Sequence, residues 1–88
     1  MEILNRYTKK VIYKSEKEAI SETVIEAIQS KFSLSNANLF KADLSNANLS
    51  NANLSNANLS NAKLCDANLQ NAKITYRGKL VEVKFEEV

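Results

Sequence analysis

Leucine or isoleucine stands at every fifth position across residues 34–74: Leu34, Leu39, Leu44, Leu49, Leu54, Leu59, Leu64, Leu69 and Ile74. From Ala37 to Ala72, an alanine precedes each of them by two positions. The remaining slots are small and polar, as in Ser45-Asn46-Ala47-Asn48-Leu49. An amphipathic helix repeats near 3.6 residues and a half-buried strand at two, so this spacing fits neither. On a helical wheel the leucines walk around the axis, and on a strand an odd step sends successive ones to opposite faces. A fixed internal period of this kind points to a solenoid whose coils stack on one another. Five residues make one short extended side and one corner, and four sides close a square coil of about twenty residues. Leu34 then stacks below Leu54 and Ile74, Leu39 below Leu59, Leu44 below Leu64, and Leu49 below Leu69. Leucine and alanine point inward and the other residues face water.

The polar slots suit the corners. Asn, Asp and Ser bond locally to the backbone, and Asn tolerates positive φ better than most residues. Stacking about 4.8 Å apart would set Asn46 over Asp66 and Asn51 over Asn71 as polar ladders. Backbone bonds between coils satisfy the amides. The alternative is an Asn/Ser-rich tract without a fold. A disordered tract has no reason to hold its leucines in register.

Residues 47–51, 52–56 and 57–61 each read Ala-Asn-Leu-Ser-Asn. This motif resembles the pentapeptide-repeat proteins, whose unit is a small residue, Asp or Asn, Leu or Phe, a small polar residue, then almost any residue. The resemblance covers about half the chain. It implies a β-solenoid, specifically a right-handed quadrilateral β-helix, here of about two coils. Phe32 before Leu34, Phe40 after Leu39, and Lys63 and Lys73 depart from the pattern. The family often places Gly where this chain has Asn46, Asn51, Asn56 and Asn61.

At 88 residues the chain makes one small domain, and its net charge of +2 is too small to argue for nucleic acid or a membrane surface. No apolar run is long enough to span a bilayer and no signal peptide opens the sequence, so the expected compartment is the cytoplasm. The one cysteine, Cys65, follows Leu64 in a solvent-facing slot and has no histidine to activate it. It reads as a substitute for serine, with an intermolecular link or a reactive thiol as the sharper alternative.

Three segments follow along the chain. Residues 1–33 form an amino-terminal β-hairpin and capping helix, residues 34–75 the repeat, and residues 76–88 a carboxy-terminal strand or cap. Residues 2–7 and 11–14 read as two strands joined through Thr8-Lys9-Lys10. Ser15 and Glu18 have capping-box spacing, and Ala19, Ile20, Thr23, Val24, Ala27 and Ile28 make an apolar stripe. Glu16, Glu18, Glu22 and Glu26 read as a solvated helix face rather than a metal site. A solenoid's first coil exposes its floor and strand edges, and Ile20, Val24 and Ile28 are expected to lie across that floor. A hairpin and helix in this place also resemble the amino-terminal caps of small family members. After Ile74 the register ends and Gly78 marks a turn. Residues 80–85 alternate as a half-buried strand does, with Val81, Val83 and Phe85 on one face, open to three roles: cover for the last coil, a pairing face for the amino-terminal hairpin, or an oligomer interface.

No residues suggest catalysis, a cofactor or a metal. There is no histidine, no cysteine pair and no Gly-rich phosphate loop. The leading expectation is a non-catalytic structural or protein-interaction scaffold forming a homodimer, with no nucleic-acid or membrane partner. The family supplies a second reading, a DNA-mimic protein that binds DNA gyrase. That needs a long, acidic solenoid, and this repeat is short and nearly neutral. A third reading, binding of ice or a polysaccharide surface by Ser and Asn ladders, is weakened by Lys63, Cys65, Gln70 and Lys73, which interrupt the faces.

Overall fold

The computed structural model describes the backbone of residues 1–76, 79 and 80, and side chains through residue 74. Every repeat unit makes the same turn. The amides of Ala37, Ala42, Ala47, Ala52, Ala57, Ala62, Ala67 and Ala72 each donate to the carbonyl of the leucine three residues earlier, at 3.0–3.1 Å. The residue just before each alanine has φ between 58° and 65°. One positive φ at the third position of a four-residue turn is the type II signature. It explains the run Asn36, Asn46, Asn51, Asn56, Asn61, Asp66 and Asn71, because Asn and Asp reach this region at lower cost than most side chains. Lys41 occupies the same position, at φ 60°.

A second local device sits one residue before the leucine. The side-chain oxygens of Asn38, Asp43, Asn48, Asn53, Asn58 and Asn68 each accept the amide two residues on, at 3.0–3.2 Å. These Asx turns hold the chain as it leaves each side. Lys63 and Lys73 stand in the same slot and have no acceptor. The polar ladders expected between Asn46 and Asp66, and between Asn51 and Asn71, do not form among the described residues. These four residues hold the positive-φ corner, and the bonds between passes there come from the backbone, as from the Asn46 amide to the Cys65 carbonyl and from the Asn51 amide to the Gln70 carbonyl.

The chain returns on itself every twenty residues. Parallel bridges join Asn38 to Asn58, Asp43 to Lys63 and Asn48 to Asn68. The strand β3 (Asn53–Leu54) pairs in parallel with β4 (Lys73–Tyr76), placing Asn53 beside Lys73. Backbone bonds of 2.7–2.9 Å run between the stacked sides, as from the Leu49 amide to the Asn68 carbonyl and from the Asn68 amide to the Ala47 carbonyl. Regular strand is therefore short, because each side is only a few residues long before the next turn.

The leucines collect inside. Leu34, Leu44, Leu49 and Leu54 are 0% exposed and Leu39 is 1% exposed, while Leu69 and Ile74 are also buried. Leu59 and Leu64 depart from the expected buried stack and are half-buried. They belong to the last pass of the chain. Leu39 and Leu44 lie inside the stack beneath them, and among the described residues no further repeat lies above. β4 continues into an antiparallel pair with β5 (Lys79–Leu80), Thr75 opposite Leu80 and Tyr76 opposite Lys79. Val81, Val83 and Phe85 lie outside the described residues.

Ahead of the repeat, β1 (Glu2–Leu4) and β2 (Val11–Lys14) form an antiparallel hairpin with a bulge between Ile3 and Leu4. β1 is shorter than the expected strand over residues 2–7. Asn5 ends it, because its side-chain oxygen accepts the amides of Tyr7 and Thr8, at 2.8 and 3.1 Å. The hairpin also does what was expected of the helix alone. It pairs with the open edge of the first pass: the Asn38 amide donates to the Leu4 carbonyl at 2.8 Å and the Arg6 amide to the Asn36 carbonyl at 2.7 Å. The Arg6 guanidinium reaches one pass further, to the Asn56 carbonyl at 3.0 Å.

The helix α1 (Ile20–Gln29) packs against β1 and joins the core through Val24 and Ala27, both 0% exposed. Ile20 and Ile28, expected with Val24 as the cap contact, are half-buried, as is Ile25. The buried line therefore runs through Thr23, Val24 and Ala27. Thr23 satisfies its hydroxyl by donating to the Ala19 carbonyl at 3.0 Å. The Ser15–Glu18 capping box does not form. The N-cap is Ala19, without a side-chain cap bond. Ser15 is held elsewhere: its amide continues the hairpin ladder to the Met1 carbonyl, and its hydroxyl donates to the Glu26 carboxylate. A residue fixed by strand pairing cannot also take up the N-cap position of a helix that starts five residues later. At the other end, the Lys31 amide bonds the Ile28 carbonyl and the Phe32 amide bonds the Ala27 carbonyl. With Lys31 at φ 66°, this is a Schellman motif with lysine in the usual glycine position.

Candidate interaction surface

Three surfaces compete as the functional region: the polar sides of the repeat, the end of its last pass, and the junction between α1 and the first pass. On the sides, turn residues such as Phe40, Ser60 and Gln70 are exposed. The Phe40 ring carries the Lys41 ammonium 5.2 Å from its centroid. Asp43 and Lys63 are bridged neighbours on one side. The amide of Ser45, with help from its hydroxyl and the Lys63 charge, holds the Asp43 carboxyl below the usual carboxylate range. A fully exposed carboxylate stabilised as the anion is poorly suited to accept a proton near neutral pH. Cys65 is exposed, its Sγ 3.7 Å from the Asp66 carboxylate. Among the described residues, no group of three or more His, Cys, Asp or Glu could hold a metal ion.

The end of the last pass shows half-buried Leu59 and Leu64 beside partly buried Ala72. Its expected companions Val81, Val83 and Phe85 lie outside the described residues, so nothing places them here.

The junction carries a groove of about 400 Å³, lined on one wall by Ile25, Ile28 and Phe32 and on the other by Asn48, Asn51 and Asn53. Phe32 is 49% exposed, and its ring meets Tyr13 edge-on with centroids 4.9 Å apart. Among the described residues, Lys31 is the one charged residue lining the groove. The sequence pattern did not single out this place. The only signal for it was Phe32, an aromatic where the repeat calls for alanine. A second cleft, beside the hairpin, is lined by Lys14, Ser15, Glu16, Lys17 and Glu26, and its Ser15 and Glu26 side chains are bonded to each other.

The five-residue turns, the twenty-residue return and the inward leucines match what one known family would require. The family model for pentapeptide repeats fits residues 30–75 in eight copies, just over half of the chain. The chain belongs to the pentapeptide-repeat family. Membership implies a β-solenoid, in keeping with the parallel bridges between passes. No curated protein and no solved structure matches this pentapeptide-repeat chain. Among the described residues, no helix is long and apolar enough to cross a membrane.

Proposed function

We propose that this pentapeptide-repeat protein is a non-catalytic scaffold that acts by presenting its sides to another protein. Its repeat is read as a right-handed quadrilateral β-helix of about two coils, working as a homodimer without a cofactor. One observation supports the reading: the side-chain oxygens of the Asn and Asp residues before the leucines are committed to building the turns. Asn48 accepts both the amide and the hydroxyl of Ser50, and the Asn and Asp residues of the neighbouring units repeat the amide contact. What remains for function is the regular outer surface, and repeat proteins generally work through such surfaces.

Photo-crosslinking tests this. A photoreactive residue is placed at exposed Phe40, Ser60 or Gln70, and the protein is irradiated in its source cells. A discrete protein adduct at one or more of these sites is expected. Adducts at none of them would overturn the scaffold reading.

A further inference from the structure

We propose that the groove between α1 and the first pass of the repeat is a docking site for an extended peptide segment of a partner protein, added as a strand to the open edge. The fitting segment is apolar and carries an acidic residue. This inference names a partner class for the scaffold reading and rests on it.

The chain itself shows how the edge is used. At residues 36–38, the Asn36 carbonyl and the Asn38 amide point away from the next pass. Both are taken by Arg6 and Leu4 of the chain's own antiparallel hairpin. The repeat copies these groups ten residues on, as the Asn46 carbonyl and the Asn48 amide. There the other face of the edge is already used, since the Leu49 amide bonds Asn68 and the Ala47 carbonyl accepts from Asn68. The outward pair bonds to none of the described residues, and both Asn46 and Asn48 are exposed. An unpaired strand edge is a ready template for another chain.

Backbone pairing alone would accept any segment, and the groove narrows the choice. Ile25, Ile28 and Phe32 stand across from Asn48 and give an apolar side chain a place to leave water. Among the described residues, Lys31 gives the groove one positive charge and no acidic residue lines it, which favours an acidic neighbour to that apolar anchor. Each side of the repeat is short, so only one pair of backbone bonds forms. Binding is accordingly weak, with a dissociation constant on the order of 0.1–1 mM.

The probe is a synthetic peptide copying Glu2 to Tyr7, acetylated and amidated at its ends, because this sequence already fits the equivalent edge. It is titrated into the full-length ¹⁵N-labelled protein and followed by NMR. Saturable shifts at Asn46, Asn48, Ile25 and Ile28 are expected. N-methylation of the peptide's Arg6 amide, or serine in place of its Ile3 and Leu4, should weaken binding about tenfold or more. Both changes leave the protein untouched, so misfolding cannot produce the effect. No shifts at millimolar peptide would overturn the proposal. So would shifts confined to Asn36 and Asn38, which would report displacement of β1, or equal binding by the N-methylated peptide. The crosslinking sites Phe40, Ser60 and Gln70 do not line the groove, so a failed titration leaves the scaffold reading standing on its own test.

Discussion

A lysine held at positive φ places its Cβ against the following carbonyl, a crowding that asparagine and glycine relieve. Lys41 and Lys31 both sit there. Replacing Lys41 with Asn should raise stability by about 0.5–1 kcal/mol, reduced by the loss of its contact with Phe40. Lys31→Gly, at the helix terminus, should gain about 1 kcal/mol. Chemical denaturation measures both, and a loss of stability in either would contradict the turn geometry described. Asp43 supplies a pH test. Its folded pKa lies below the ordinary value of 3.8, chiefly through the Ser45 amide. A lowered carboxylate pKa contributes stability that is complete above the unfolded value and is lost as pH falls through the folded one. The Asp43 carboxyl, followed by NMR, should therefore titrate with a midpoint below 3.8, and Ser45→Pro, which removes the amide donor, should raise it. Neither lysine was legible in the sequence as a turn residue, because lysine carries no preference for that backbone region. The asparagines were legible because they do.

Local preference says less about how the elements meet. The leucine register could be read because burial repeats at a fixed step, but which leucines close fully depends on what lies above and below each pass. Leu44→Ala should cost about 3 kcal/mol, since the site is sealed by the next pass. Leu64→Ala, at a half-buried site, should cost about half as much. Equal losses in thermal or denaturant unfolding would mean that something covers Leu64 as completely as Leu44. The hairpin was legible as two strands, yet its bonds to Asn36 and Asn38 join residues far apart in sequence, and nothing in either segment announces them. Ser15 misled for a related reason. Its spacing to Glu18 suggested a cap, but the ladder to Met1 and the bond to Glu26 claim it first. Deleting residues 1–31 removes the strand on that edge together with Ile3, Val24 and Ala27 from the core. The product should aggregate or remain unfolded, and a soluble fragment that melts cooperatively would refute this.

For the molecule as a whole, the two ends differ in kind. The amino-terminal end has a hairpin bonded to its edge at Asn36 and Asn38 and a helix packed into its core. The last pass keeps two leucines partly in water. If the proposed homodimer forms, light scattering should give twice the chain mass of 9.8 kDa, whereas a clean monomer at high concentration would rule it out. Solenoid character followed from periodicity alone. The groove beside α1 did not, because it arises where two segments with different periods are brought together.

The twenty-residue return also limits how such a gene could lengthen. Duplicating a single five-residue unit between Leu54 and Lys63 would shift every later residue onto the neighbouring side, pulling Lys63 away from Asp43 and β4 away from β3. Copying four units at once would add a full lap and leave both ends facing as they do now. Growth by insertion within that span is therefore expected in whole laps of four units.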